Sequence, residues 1–331
     1  MSTTCEGASG KASGATDAVL ERLDSLRIRL RNEKRLKLFL PAGLTFFAVY
    51  WGLGQQGIPA YAGIIAGLFA APFSGLIAYT LLRNRKQRRT FETAYHRDVT
   101  RPLLEELLPQ ARFLPEEGIG AEVLRASGLF QSGWSHYESR RSLLVDKAAG
   151  RFRLAEVAAR SRDNTADAGT GRRIVFQGLF LHGKLNRSLG ARVVAVPREG
   201  APAFSSALAA NKIRHWRPDR EDGDLRTWNA GDEAIDTNFR IFTDRPEAAE
   251  ALVHGVLTPL MALTGQNLPL GHGPAFVFLA LRHDKLYLAK PSIHGFIKPD
   301  DYVSVTTLAK RDRTDLEYTR RLLDSMDELM A

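Results

Sequence analysis

The chain has almost no cysteine. Of its 331 residues only Cys5 is a cysteine, and it lies in a polar, glycine-rich start. A disulfide framework is therefore excluded, and so is a zinc site built on paired cysteines. The eight histidines do not replace such ligands, since their positions show neither close nor helix-face metal spacing. We expect no metal and no cofactor, and a chain suited to a reducing compartment.

Charge is missing from 45 consecutive residues, Leu38 to Leu82, although charged residues make up 25% of the chain. This run is too long for one membrane-spanning helix, which needs about 20 apolar residues, and it suits two. A polar turn, Gly54-Gln55-Gln56-Gly57, divides the run. We therefore predict a transmembrane helical hairpin with helices at 38–53 and 58–82. A helical hairpin buried in a protein core is the alternative.

Small residues recur at every fourth position of the second predicted helix. They are Gly63, Gly67, Ala71 and Gly75. This spacing places them on one face, where their size allows a partner helix to approach closely. We interpret them as a packing face for the hairpin or for a homo-oligomer. The alternative is that small residues are merely tolerated there.

Basic residues flank the uncharged run on both sides. Residues 20–90 carry twelve Lys and Arg against three acidic residues, which accounts for the net charge of +9. Short segments rich in Lys and Arg stay cytoplasmic, so both termini are expected in the cytoplasm. Because the rest of the chain is nearly neutral, no nucleic-acid partner is expected. Contact with lipid headgroups of the bilayer is predicted for Arg27, Arg29, Arg31, Lys34, Arg35, Lys37, Arg83, Arg85, Lys86, Arg88 and Arg89.

Composition and periodicity divide the rest of the chain. Residues 17–37 place apolar side chains on one face, as in a short coiled coil or a helix lying on a membrane surface. The predicted segments are a disordered N-terminus at 1–16, a basic amphipathic juxtamembrane helix at 17–37, a basic flank and connecting helix at 83–112, and a cytosolic domain at 113–331.

The domain of residues 113–331 first shows strand periodicity and then helical periodicity. Helices are predicted at 121–126, at 244–264, and from Thr314, as a cap, to the end of the chain. Such a pattern is typical of the α+β class, with a soluble antiparallel sheet and flanking helices. Pleckstrin-homology-like domains share this arrangement, which gives one interpretation of the fold. Strands are predicted at 142–146, 152–159, 174–182, 191–196, 238–243, 275–282 and 285–289.

Several short segments of this domain also carry a family resemblance. They are Phe113-Leu114-Pro115-Glu116-Glu117-Gly118-Ile119, Ser127-Gly128-Leu129-Phe130, Glu156-Val157-Ala158-Ala159, Val175-Phe176-Gln177-Gly178-Leu179-Phe180, Asn186-Arg187-Ser188-Leu189-Gly190, Val194-Ala195-Val196-Pro197, Phe239-Arg240-Ile241-Phe242-Thr243 and Leu257-Thr258-Pro259-Leu260-Met261. In order and spacing they resemble the bacterial membrane-protein family catalogued as domain of unknown function 3137 (DUF3137). The resemblance implies two N-terminal membrane helices and, together with the charge pattern, a multi-pass protein of the bacterial inner (plasma) membrane. It implies no catalytic residue, because the family has no established activity. Glu138-Ser139 departs from the acidic pair that the family pattern has there.

No motif in the chain specifies a catalytic site. Gly178 to Leu185 comes near a phosphate-binding loop, but its middle is bulky and Leu185 replaces the Ser or Thr that binds magnesium. Glu138, Asp146 and Glu156 can meet across a hairpin, as acid–base catalysis by carboxylates requires. Solvated or ion-paired acids are nevertheless much more common on a sheet surface.

Three functions remain open at this stage. The first is a non-enzymatic interaction or scaffold role, in which the sheet and its loops bind a protein partner at a membrane. The second is an enzyme acting on a membrane-derived or envelope-related substrate. The third is a sensor of anionic lipid. A pocket that gathers Glu138, Glu156 or a histidine with a shifted pKa would favour an enzyme, whereas an exposed apolar patch above about 400 Å² would favour a partner.

Overall fold

The computed structural model divides the chain into two compact units. Unit 1 comprises Met1–Pro102 and Pro299–Asp312, and unit 2 comprises Leu103–Lys298 and Arg313–Ala331. The structure describes residues 7–56, 59, 61, 64–70, 85–130, 134–162, 172–198, 224–262, 277–292, 296–300 and 302–330.

Unit 1 is built on one long helix. Helix α1 (Gly7–Gln55) continues through Pro41 and takes in residues 7–16, where composition predicts a disordered start. Helix α2 (Arg85–Tyr95) leads into a π-helical turn (His96–Thr100), and residues 64–70 are also helical. The buried apolar side chains of this unit are Leu23, Leu30, Phe91, Tyr95, Val99, Val305 and Leu308.

The predicted transmembrane hairpin is wrong. Among the residues that the structure describes, no helix is both long enough and apolar enough to cross a membrane. Residues 38–53 belong to α1, and Pro41, Thr45 and glycines dilute the apolar character of this part of the helix. Of the second predicted crossing, 58–82, only 59, 61 and 64–70 lie within the described residues. The predicted multi-pass inner-membrane location is therefore corrected as well.

Unit 2 contains a nine-stranded antiparallel sheet with helices, which confirms the α+β class. In the described residues the strand order is β1-β2-β3-β4-β9-β8-β5-β7-β6. The hairpin of β8 and β9 therefore lies between β4 and β5. The strands are β1 (Ala111–Leu114), β2 (His136–Lys147), β3 (Gly150–Arg162), β4 (Arg172–Leu185), β5 (Arg192–Pro197), β6 (Arg226–Trp228), β7 (Phe239–Thr243), β8 (Phe278–Arg282) and β9 (Lys285–Pro291).

The remaining helices are short, with one exception. The last helix starts well before Thr314, the residue predicted as its cap. Its start is fixed by Ser304, whose Oγ accepts a hydrogen bond from Thr307 N at 3.2 Å, as N-cap residues do. The helices are α3 (Arg101–Leu107), α4 (Ala121–Ala126), α5 (Glu233–Asn238), α6 (Pro246–Leu252), a π-helical turn (Val253–Leu257), α7 (Thr258–Ala262) and α8 (Val305–Met330).

Alternate side chains of the strands fill two separate apolar cores, because successive strand residues point to opposite faces of a sheet. Face 1 is the side on which Leu154, Leu181 and Leu288 pack in one cluster with residues of α8, among them Leu322. Face 2 is the opposite side. Its apolar side chains form a second cluster with residues in and after α4, and that cluster includes Ala155, Phe180, Tyr287, Leu124, Leu129 and Phe130.

Candidate functional site

A row of basic side chains crosses face 2 at one end of the sheet. Five neighbouring strands contribute Arg151 (β3), Lys184 (β4), Lys285 (β9), Arg282 (β8) and Arg192 (β5), each the cross-strand partner of the next. Directly opposite residues point to the same face with Cβ atoms about 5 Å apart. We call these five residues the basic row. At the usual strand spacing it is about 19 Å long.

Acidic side chains lie at the two ends of the basic row. At the β3 end, Arg151 Nε lies 2.6 Å from Asp146 Oδ1, and both side chains are exposed. At the β5 end, Arg192 Nε lies 3.1 Å from Asp244 Oδ2. The Arg192 guanidinium and the Arg192 backbone N–H hold the pKa of Asp244 below its ordinary value, although burial acts in the opposite direction. Both ends of the row are therefore compensated by charge.

The centre of the basic row is less compensated. Lys184 Nζ is 3.6 Å from Asp284 Oδ2, and its side chain remains 74% exposed. Lys285 is also exposed, and it has no ion pair with any residue that the structure describes. Arg282 Nε donates to the carbonyl oxygen of Ser127 at 3.0 Å, which fixes the guanidinium over the segment that follows α4. Positive charge is thus concentrated in the middle of the row.

A second row on the same face adds a histidine beside these cations. In register on β3, β4 and β9 lie Arg153, His182 and Tyr287. Burial lowers the pKa of His182, and the charges of Arg153 and Lys285 lower it further. Arg153 itself donates to Glu117 Oε2 at 2.8 Å. The neutral form of His182 is therefore favoured more strongly than in a free histidine. An anion that binds near Arg153 and Lys285 would raise this pKa again.

Hydrogen bonds between loops hold this end of the sheet in place. The tight turn between β8 and β9 contains His283, at φ +60°, and Asp284. Leu185 N donates to the carbonyl of Asp284 at 2.7 Å, and His283 N donates to the carbonyl of Ala191 at 2.9 Å. The turn is thus fastened to the end of β4 and to the residue before β5. The cations therefore project from backbone that is hydrogen-bonded on both sides of the turn.

Like charges directly opposite one another destabilise a sheet, by tenths of a kcal/mol to about 1 kcal/mol per pair. Four such contacts follow one another along the basic row. The carboxylates of Asp146, Asp284 and Asp244 already offset part of this repulsion. An anionic ligand would remove more of it and gain charge-assisted hydrogen bonds, which are the stronger kind. Chemically, the row can therefore bind an extended anion. Its shape does not suit a single phosphate, because the cations are spread over five strands.

The three carboxylates that the sequence offered as an acid–base group do not come together. Glu138 Oε1 lies 3.1 Å from His136 Nε2, and this contact keeps the pKa of Glu138 below its ordinary value. Glu156 is ion-paired with Arg141. Strand register places Glu138 diagonally across from Glu156 on one face, while Asp146 lies on the other face beside the basic row. In the described residues, no group of three His, Cys, Asp or Glu is placed to hold a metal.

The residues predicted to contact lipid headgroups occupy several environments. Arg27 is buried, and its Nε lies 2.8 Å from Asp24 Oδ1. Arg88 Nε lies 2.9 Å from Glu92 Oε1. Arg31 is partly buried, and the exposed members are Arg29, Arg35 and Arg89. The side chains outside the described residues are those of Lys34, Lys37, Arg83, Arg85 and Lys86.

Only one of the four predicted helix-packing residues can be placed. Gly67 lies against α1, since a Cβ added at Gly67 would come within 2.7 Å of the Phe46 ring. Gly63, Ala71 and Gly75 lie outside the described residues. Close approach at Gly67 is thus made to a helix of the same chain.

Comparison with protein-family models, curated proteins and solved structures finds no match for this chain. The resemblance to the family catalogued as domain of unknown function 3137 therefore stays a prediction, as does the pleckstrin-homology-like interpretation. The basic row is the feature with the clearest chemistry in unit 2.

Proposed function

We propose that unit 2 is a non-enzymatic interaction module that binds an acidic segment of a protein partner at the basic row. The supporting observation is the cross-strand register of five cations on neighbouring strands. Repeated like-charge contacts weaken a sheet. Such contacts at one end of the sheet, all on the same face, are explained if a ligand of opposite charge binds there.

The dimensions of the basic row favour an extended peptide. An extended chain advances about 3.3 Å per residue, so roughly six residues cover the row. Alternate side chains of such a peptide point the same way, and three carboxylates can then reach the sheet. Lys184 and Lys285 supply long, exposed side chains at the centre. Arg282 and Arg192 are partly buried and already hydrogen-bonded, to the Ser127 carbonyl and to Asp244, so they contribute positive charge beside the two lysines.

The carboxylates at the two ends of the basic row favour a short acidic segment over a long polyanion as the ligand. Asp146 and Asp244 place negative charge at the two ends of the row. A nucleic acid that continued past the row would meet both carboxylates. The chain outside residues 20–90 is also nearly neutral, whereas a nucleic-acid domain carries its own excess of positive charge.

An enzymatic role has less support from the geometry. Glu138 is hydrogen-bonded to His136, and Glu156 is ion-paired with Arg141. His182 has a lowered pKa, but its neighbours on the adjoining strands are Arg153 and Tyr287, and neither is a carboxylate that would orient a catalytic base. The enzyme hypothesis stays a prediction without a named catalytic group.

The test is binding of a fluorescein-labelled peptide of ten alternating Glu and Ser residues to the full chain, measured by anisotropy at low salt. We expect saturable binding that weakens as salt is raised, because exposed charges are screened. The double variant Lys184→Glu with Lys285→Glu should bind at least about tenfold more weakly, since each reversal replaces an attraction by a repulsion.

The matched control is Arg140→Glu, which reverses an exposed charge on β2 away from the row. Its binding should equal that of the unchanged chain. The proposal is overturned if the peptide does not bind, or if Arg140→Glu weakens binding as much as the double variant does. Equal affinity for a labelled oligo-thymidine would also overturn it, because the row would then be a general polyanion site.

A further inference from the structure

A stripe of large apolar side chains on α1 is exposed. Its members, separated by four, four, three and four residues, are Leu36, Leu40, Leu44, Phe47 and Trp51. Their exposed fractions lie between 55% and 64%. At this spacing, side chains fall on one side of a helix, as in the seam of a coiled coil. We call these five residues the α1 stripe.

A different side of the same helix already has a partner within the chain. Phe46 packs against Gly67, where an added Cβ would come within 2.7 Å of its ring. Phe46 is partly buried, in contrast to Phe47 next to it. Further toward the N-terminus, Leu23 and Leu30 of α1 are buried. Within the described residues of α1, the exposed large apolar side chains are those of the α1 stripe together with Ile28, Phe39 and Tyr50.

We propose that the α1 stripe is a self-association interface at which two copies of this chain pair helix on helix. Together with the exposed Phe39 and Tyr50 beside it, the stripe offers apolar surface on the order of 800 Å², which is what one partner contributes to a stable interface. Exposed apolar patches of this size are uncommon on proteins that stay monomeric.

The composition of the α1 stripe favours a second copy of this chain over a different protein as the partner. From Phe39 to Gln56 the helix has no charged side chain, so it offers nothing that would attract an oppositely charged protein. A second copy presents the same uncharged seam, and a twofold axis matches the surface to itself. Seam residues that repeat every three or four positions pack against a helix with a matching repeat, which a second copy supplies.

The test is the mass of the full chain in solution, measured by sedimentation equilibrium over a range of concentrations. We expect the mass of two chains. The variant Leu44→Ser with Phe47→Ser should have the mass of one chain, or dissociate at least about thirtyfold more readily, because both residues lie at the centre of the stripe. Circular dichroism checks that the helix content of the variant is unchanged.

The matched control is Phe69→Ser, which removes an exposed apolar side chain outside the stripe. It should leave the mass at two chains. The proposal is overturned if the unchanged chain is a monomer, or if Leu44→Ser with Phe47→Ser leaves the dimer intact. A chain that is monomeric and instead floats with phosphatidylcholine vesicles would also overturn it. Peptide binding at the basic row is measured separately, so failure of either proposal leaves the other standing.

Discussion

Lys290 Nζ lies 3.8 Å from the centroid of the Tyr318 ring, so a lysine of β9 and a tyrosine of α8 form a buried cation–π pair. Burial lowers the pKa of Lys290, and the charge of Asp315 opposes this shift. Burial also raises the pKa of Tyr318, whose hydroxyl has no hydrogen-bond partner among the residues that the structure describes. Among the lysines in the described part of unit 2, Lys290 has the most strongly shifted pKa. The direction of this shift fixes the sign of its effect on the free energy of unfolding.

Replacing Lys290 with Met should stabilise the protein at pH 7 by about 1 kcal/mol, because the cost of burying the charge exceeds the gain from the pair. The folded-state pKa is below that of the unfolded chain, so the unfolded chain binds more protons between the two values. Stability of the unchanged protein should therefore rise with pH up to about 10, and the variant should lack this rise. Urea unfolding at pH 7 and 9.5 measures both effects.

The control for this prediction is Lys310→Met, because Lys310 is an exposed lysine of α8 that is not a member of the basic row. It should change the free energy of unfolding little at either pH. A Lys290→Met variant that is less stable than this control at pH 7 would mean that the pair with Tyr318 outweighs the burial.

Tyr95→Phe should destabilise unit 1 by about 1–3 kcal/mol, the usual cost of leaving a buried polar group without its partner. The Tyr95 hydroxyl donates to Asp312 Oδ2 at 2.8 Å, and Asp312 is fully buried. Thermal unfolding measures the loss, and Tyr302→Phe is the control because Tyr302 is 66% exposed. Equal melting temperatures for Tyr95→Phe and the unchanged chain would show that the other partners of Asp312, which include Arg311 at 3.4 Å, suffice to hold the carboxylate.

Gly178→Ala should destabilise unit 2 by about 2 kcal/mol or more, since overpacking that moves backbone is costly. An added Cβ would meet the carbonyl oxygen of Lys290 at 2.1 Å, in the pairing of β4 with β9. Gly52→Ala is the control, because open space surrounds Gly52 in α1 and alanine favours a helix. Urea unfolding should show loss of stability in the first variant and none in the second.

Peptide binding at the basic row should strengthen as the pH falls below about 6.5. An anion beside Arg153 and Lys285 offsets the charges that, with burial, lower the pKa of His182, so this pKa rises on binding and a proton is taken up. Affinity therefore increases through the window between the lowered pKa of the free protein and the higher pKa of the complex. Anisotropy titrations at pH 5.5 and 7.5 measure it. His182→Gln should abolish the difference, and an unchanged difference would exclude His182 as its source.

The strands and their hairpins could largely be predicted from local pattern. The turns Ala148-Ala149 and His283-Asp284 separate runs of strand periodicity, and both lie between paired strands. The start of β2 was missed by six residues. Arg141 has φ +53° at an irregularity in the pairing of β2 with β3, and this interrupts the alternation that marks a strand.

The basic row could not be predicted in the same way. Its members stand singly in the sequence, each at the end of a strand that has no other sign of a site. The pairing of β4 with β9 and of β5 with β8 brings them together. Lys184 and Lys285, for example, are about a hundred positions apart in the sequence. Loop closure over such a distance leaves no local trace in composition or periodicity.

The membrane prediction failed for a different reason. It was based on the absence of charge from residues 38–82, and absence of charge is a weaker property than apolar character. Proline, glycine and threonine are uncharged, and they lower the mean hydropathy of the described helix without adding charge.

The place of the β8–β9 hairpin also bears on how the chain folds as it is made. Strands β1 to β4 follow one another along the chain and can pair as soon as they leave the ribosome. The outer edge of β4 must then wait for β9, which is synthesised much later, and β5 must wait for β8. A nascent chain therefore carries two unpaired strand edges through much of its synthesis, a state in which edges can pair wrongly. Both edges are covered only once the chain has been made through Pro291, the end of β9.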